Sequence, residues 1–202
     1  MRTLLLLILI LLANHPMFAQ SEAGIEQYHY LGPNNASSIV PVVHLQSKNG
    51  WYGEARYNYD EINSFSFLAG KSFFAGKNRG FIITPMAGLT VGNFSGITIG
   101  VNTEYEWNGF YYNNQSQYSF SSTSNYNDFA FTWGELGYQP LKWLYGGFSF
   151  QYTKEKNTKG LFEPGIMAGL SFKRVSFPLY YFDDFKGNRF FVLGINWEWQ
   201  RD

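Results

Sequence analysis

Cysteine is absent from all 202 residues. That excludes a disulfide framework, thiol catalysis, Cys-ligated metal and anchoring through an N-terminal cysteine. An excess of either charge is absent too, since 15 basic residues balance 15 acidic ones, so no field points to nucleic acid or to a strongly charged partner. Beyond the first twenty residues there is no long apolar run and no stretch of helical period, which excludes a helical membrane protein. No phosphate-binding glycine loop, His-Glu metal motif or nucleic-acid signature occurs, and no cofactor or metal is expected. What is abundant is aromatic: Phe, Tyr and Trp make up 20% of the chain, beside 21 glycines and only 15% charged residues. Aromatics favour strands, and glycine-rich strands are unusual in an ordinary soluble core.

The N-terminus has the three parts of a secretory signal. Arg2 supplies the positive charge, Leu4 to Ala13 form the apolar run, and Asn14 to Gln20 break it before a small residue. The run is too short for the roughly 20 apolar residues of a spanning helix. Cleavage is expected after Ala19, with Met17 a less usual residue two positions earlier. Residues 1–19 are thus read as a signal peptide and 20–202 as one exported, strand-rich domain.

The strand pattern is plainest from Gly96 to Trp107. Ile97, Ile99, Val101, Thr103, Tyr105 and Trp107 alternate with Thr98, Gly100, Asn102, Glu104 and Glu106, giving one apolar and one polar face. Asn108-Gly109 then suits a two-residue type I′ hairpin turn. The apolar face is aliphatic in its middle and aromatic at its end, as a strand needs when its outside faces lipid and its end meets headgroups. Similar alternation runs through Trp51 to Tyr59, Phe81 to Val91, Leu141 to Thr153, Phe162 to Lys173 and Phe190 to Trp199.

The tightest connections fall at Lys48 to Gly50, Asn108-Gly109, Gln139-Pro140 and Arg174-Val175. Ser121 to Asp128, Lys154 to Gly160 and Asp183 to Asn188 are longer. Short periplasmic turns alternating with longer outer loops have this form. Trp51, Tyr105, Trp107, Trp143, Trp197 and Trp199 lie near a tight turn or the C-terminus and are read as one membrane-interface belt. With the tight turns periplasmic, Ile39 enters its strand from outside, so Ile25 to Leu31 becomes the first strand. The fold class is all-β: a transmembrane antiparallel up-and-down β-barrel of about 12 strands, with 10 as the alternative, after a cleaved signal peptide.

On these residues the mature chain resembles the small outer-membrane β-barrel proteins of Gram-negative bacteria. Members of that class often finish on an aromatic residue read by the insertion machinery; here Trp199 is followed by three more residues. The resemblance implies insertion by the outer-membrane assembly machinery and outer-membrane lipids, with lipopolysaccharide, as neighbours. It implies no activity, because one fold hosts many. A secreted soluble barrel or sandwich is the rival, with its apolar faces turned inward.

Glu54, Arg56, Asp60, Asn102, Glu104, Glu106, Glu163, Lys173 and Glu198 are expected to face the lumen, as a selective lining or as a paired plug. The function expected is a structural, porin-like narrow-pore or surface-interaction role, with no catalytic residues assigned. The alternative is an outer-membrane lipid-modifying hydrolase of phospholipase or lipid A deacylase type. It would use His29 or His44 beside a serine; Ser47 is on the opposite strand face from His44. Asp183-Asp184, with Lys186 and Arg189, is read as a solvated loop, since two adjacent acids do not make a calcium site.

Overall fold

The computed structural model describes residues 22–33, 36–75 and 80–200; the expected signal peptide lies outside them. The strands are β1 (Glu22–Leu31), β2 (Ser37–Gln46), β3 (Trp51–Tyr57), β4 (Ser64–Lys71), β5 (Phe73–Ala75), β6 (Phe81–Gly92) and β7 (Gly96–Trp107), followed by β8 (Phe110–Ser121), β9 (Phe129–Leu141), β10 (Leu144–Glu155), β11 (Leu161–Phe172), β12 (Val175–Asp183) and β13 (Arg189–Gln200). Every pairing between them is antiparallel, and each strand pairs with its sequence neighbours except that β4 and β5 do not pair with each other and both pair with β6. The sheet closes on itself where β1 pairs β13, from Glu22 with Gln200 to Leu31 with Phe191. Closure removes the open edges that an exposed sheet would carry.

The short β5 is a continuation, not an extra wall position. Gly70 pairs Met86 and Phe73 pairs Ile83 in one unbroken register along β6. The break falls at Ser72, whose N–H donates instead to the Gly50 carbonyl at 2.7 Å. The wall therefore has twelve positions, with Ile25 to Leu31 in the first.

Burial runs inside out for a water-soluble protein. Ser64, Ser66, Thr84, Thr90, Thr98 and Ser119 are buried, whereas Phe148 is 69%, Trp51 65% and Ile97 61% exposed. A soluble barrel would hide the second set and wet the first. The exposed set covers the whole circumference, which disposes of the soluble rival and makes this a membrane-spanning barrel. Trp51, Tyr105, Trp107, Trp143, Trp197 and Trp199 are all exposed on the outer face, at or near the end that carries the tight turns. Lys71 shares that face, and its amine reaches the Asn49 carbonyl and sits 4.9 Å from the Trp51 ring centre. A long stem with its charge drawn to the rim is how lysine tolerates such a position.

Asn108 (φ 50°) and Gly109 (φ 82°) supply the left-handed pair of the hairpin turn after β7. Two other turns lie elsewhere than expected. Gln139-Pro140 stays within β9, and the chain reverses at Lys142 and Trp143. The β9–β10 register shifts between Leu144 and Gly146, so a bulge absorbs the extra residues and Pro140 falls at a strand end, where a missing donor matters least. The turn after β11 is Lys173-Arg174, with Val175 already paired to Phe172.

Candidate functional site

Inward-facing side chains meet across the lumen at mid-depth, where two different materials close it. The first is aromatic. Tyr28 of β1 reaches Trp133 of β9 with ring centres 5.6 Å apart, although five steps around the wall separate their strands. Trp133 also lies 5.1 Å from Tyr180 and 5.8 Å from Phe182, both edge-on, a favoured geometry for aromatic pairs. Met167 and Val192 complete this buried cluster. It fills the side of the lumen bounded by β9 to β13 and β1.

The second material is a hydrogen-bonded charge network on the β3 to β8 side. Arg56 is ion-paired through Nε to Glu54, its neighbour two residues back on β3, and both side chains are almost fully buried. Arg56 Nη1 donates to Gln117 Oε1 at 2.7 Å, crossing from β3 to β8, four wall steps away. Its guanidinium also stacks 4.2 Å from the centre of the Tyr59 ring. Tyr52 donates its hydroxyl to the other oxygen of Glu54 at 2.6 Å. Gln117 Nε2 in turn donates to Asp60 at 2.5 Å, and Asp60 also accepts from Ser66 and, at 3.0 Å, from Thr90. Buried charge is tolerated when paired and hydrogen-bonded in this manner.

Tyr59 and Asp60 reach the network because the chain turns inward after β3. Strand parity places Tyr59 outward beside Tyr57. Asn58, however, has φ 59°, and this left-handed residue ends the strand and tips the β3–β4 connection into the lumen. Asn58 is pinned there by donating to the Ile39 carbonyl at 2.9 Å and accepting from the Asn63 amide at 2.7 Å. The Tyr59 hydroxyl then bonds Gln115. Asparagine within Asn58-Tyr59-Asp60 was the local signal for this departure.

Glycines on the inner face make room for rings from adjacent strands. A Cβ at Gly24 would strike the His44 imidazole, one at Gly137 the Tyr111 ring, and one at Gly169 the Tyr145 ring. The inner wall thus alternates large side chains with hollows that receive them, so it is crowded in the middle.

Both ends are wetter. Toward the end that carries the longer loops lies a cavity of about 350 Å³. At the tight-turn end, Glu104, Glu106 and Glu198 face inward and are exposed, which requires water in that mouth. Asn102 lies deeper on the same strand and Glu163 lies on the inner face of β11, each half-buried. Lys173 does not line the wall: with φ 57° it is the exposed turn residue that ends β11. The structure therefore brings Glu54, Arg56 and Asp60 together at the constriction, and distributes the remaining acids toward the mouths. Gln115, Gln117 and Tyr59 belong with the constriction and were not singled out in the sequence.

The two histidines do not assemble a hydrolytic site. His29 shares the outer face with Ile25 and Leu31 and lies 2.6 Å from Gln27 Nε2. His44 points into the lumen, where its Nδ1 lies 3.3 Å from Glu26 and its ring stacks on Tyr52. Among the described residues no serine hydroxyl is bonded to either ring, so the nucleophile–base contact of a serine hydrolase is missing. At the rim opposite the tight turns, Asp183 pairs with Arg189 at 2.9 Å. Asp184 accepts from the Lys186 and Asn188 amides. These acids satisfy their own loop.

No protein-family model matches the chain, and no curated protein matches it. Solved structures do. The fold is similar to that of the KdgM porin in complex with disordered oligogalacturonate, at TM-score 0.66 and 12% identity over 86% of this chain and 98% of that one. A second KdgM porin structure gives 0.63 at 12% identity, over 86% and 98% of the two chains. The NanC porin gives 0.61 at 9% identity, over 87% and 98%. The chain has a closed, twelve-position transmembrane β-barrel of porin-like fold, similar to these outer-membrane barrels.

Proposed function

We propose that this barrel is a narrow diffusion channel across the outer membrane, favouring cations, in a Gram-negative bacterium that exports the chain and removes residues 1–19. One observation carries the reading. Both mouths admit water, while the layer between them consists only of side chains and the inturned Tyr59-Asp60 connection, with no plug domain among the described residues. Such a layer opens by side-chain motion without unfolding the wall.

The sign of the lumen sets the preference. Glu26, Glu54, Glu104, Glu106, Glu135, Glu163 and Glu198 face inward, against one arginine, Arg56, and His44 among the described residues. Rings of carboxylates favour cation passage. The oligogalacturonate held by the KdgM porin is a polyanion, and this lumen carries the charge that would repel it, so that ligand does not transfer. Lipopolysaccharide as the outer-leaflet neighbour and insertion by the outer-membrane assembly machinery belong to the same proposal, supported by the apolar outer face with its aromatic rim.

The test is the reversal potential of the purified barrel in a planar bilayer under a KCl gradient. Cation preference is expected, and it should weaken when Glu104, Glu106 and Glu198 are changed together to Gln. An anion preference, or a preference untouched by the triple change, sinks the proposal.

A further inference from the structure

The cavity at the longer-loop end has a lining whose chemistry is more specific than that of a passive vestibule. Six rings border it: Tyr30, Tyr59, Phe94, Tyr126, Phe129 and Phe131. They are held edge to face, Tyr59 against Phe131 at 5.6 Å, and Phe94 against Phe129 at 5.3 Å and Tyr126 at 6.1 Å. Phe94 is 1% exposed, and its amide is anchored by the Ser64 hydroxyl at 2.9 Å, so this part of the lining is fixed from below. The remaining polar lining is amide and hydroxyl plus three carboxylates, Asp60, Glu61 and Glu155. Among the described residues no lysine, arginine or histidine borders the cavity.

The carboxylates differ in availability. Asp60 is consumed by Ser66, Thr90 and Gln117. Glu61 uses one oxygen, on the Ile62 amide, and Glu155 uses one, on Asn127 at 3.4 Å; the second oxygen of each has no protein partner among the described residues. The neighbouring loop cation, Lys156, is engaged by Asp128 at 3.2 Å, so it does not neutralise Glu155.

We infer that this cavity is a binding site for a small organic cation, of primary or quaternary ammonium type, entering from the outer side. A volume of about 350 Å³ falls within the usual ligand-site range of roughly 300–1,000 Å³. Ring faces attract an ammonium through their quadrupole; the Tyr59 face is already covered by Arg56, so the attraction falls to the other rings, Tyr126 among them, and the second oxygens of Glu61 and Glu155 add negative charge at the rim. An anionic ligand would meet three carboxylates, with no basic side chain among the described residues that border the cavity. A neutral sugar would find rings and amides but would leave the free carboxylates unused. The inference deepens the channel reading by naming a solute class, yet it depends on the cavity and not on conduction.

Isothermal titration calorimetry of the refolded full-length barrel in detergent, with choline chloride as probe, tests it. Maltose and galacturonate serve as neutral and anionic controls, and heat-modifiable gel mobility confirms folding of each variant. Choline should bind saturably, and neither control should displace it. Glu61→Gln with Glu155→Gln should weaken binding by about tenfold, given that exposed ion pairs contribute a few-fold each. Tyr126→Leu should weaken it by roughly two- to fivefold, the loss of one cation–π contact. No choline binding, binding unchanged in these folded variants, or equal binding of maltose overturns the inference. Choline binding by a barrel that carries no current would uphold the site and remove the channel; current without choline binding would do the reverse.

Discussion

Replacing Arg56 by methionine removes the guanidinium while keeping most of the volume, and so isolates the charge network of the constriction. In the native barrel Glu54 has two donors on its carboxylate, Arg56 Nε and the Tyr52 hydroxyl at 2.6 Å, and is itself almost wholly buried. After the change it keeps the tyrosine alone, as an uncompensated buried charge. Gln117 loses its 2.7 Å donor, and the Tyr59 ring loses the cation 4.2 Å above it. Breaking a buried pair from one side costs about 3–5 kcal/mol. Glu54→Gln with Arg56 intact leaves the opposite charge stranded and should cost a similar amount. The double variant strands neither, so the two losses should fall short of adding by about 3 kcal/mol. Equilibrium urea unfolding in lipid vesicles, followed by tryptophan fluorescence, gives all four corners of the cycle. Additive losses, or single variants within about 0.5 kcal/mol of the native barrel, would refute a coupled pair at the constriction.

Gly147→Ala should destabilise by about 1–3 kcal/mol, because its Cβ would meet the Leu136 carbonyl oxygen and the Gly137 Cα, which are backbone and cannot swing aside; an unchanged urea midpoint would contradict that packing. On the outer face between Tyr112 and Tyr118, Ser116 donates to Asn114 at 2.8 Å and lies 3.2 Å from the Thr132 hydroxyl. Asn114→Leu with Ser116→Ala removes polar groups from hydrocarbon and should stabilise the barrel by about 1–2 kcal/mol; a loss of stability in vesicles would show instead that another protein surface meets these groups. In the loop after β8, the Ser121 amide, and then Lys156, hold the Asp128 carboxyl below the usual aspartate value. A lowered value means the loop contact is complete above the ordinary aspartate range and is lost only as pH falls through the lowered one. An NMR titration should place the Asp128 midpoint below the ordinary value and move it upward in Lys156→Ala; a midpoint at or above that value would be inconsistent with the contact.

The wall was legible because a strand's two faces meet different solvents. Ile97 to Trp107 announces its outer face by parity, and Asn108-Gly109 announces its turn. The Arg56–Gln117 and Tyr28–Trp133 contacts were not legible, since they join strands four and five wall steps apart and no local pattern encodes distance across a lumen. Tyr59 was misread for a different reason: parity holds only while the strand does, and the left-handed Asn58 ends it one residue earlier. His29 shares its parity with Ile25 and Leu31, so its outward facing was available from the first strand, once that strand was accepted as part of the wall. The turn after β9 was displaced because a bulge changes the count of residues without changing their pattern.

Single-channel recording in planar bilayers, comparing the native barrel with Glu54→Ala combined with Arg56→Ala, measures the constriction most directly. A small native conductance is expected, rising when the two side chains that close the polar half of the lumen are cut back, with heat-modifiable mobility unchanged. Current absent from both proteins, or a native conductance that the double change leaves as it was, would contradict a channel limited by Glu54 and Arg56.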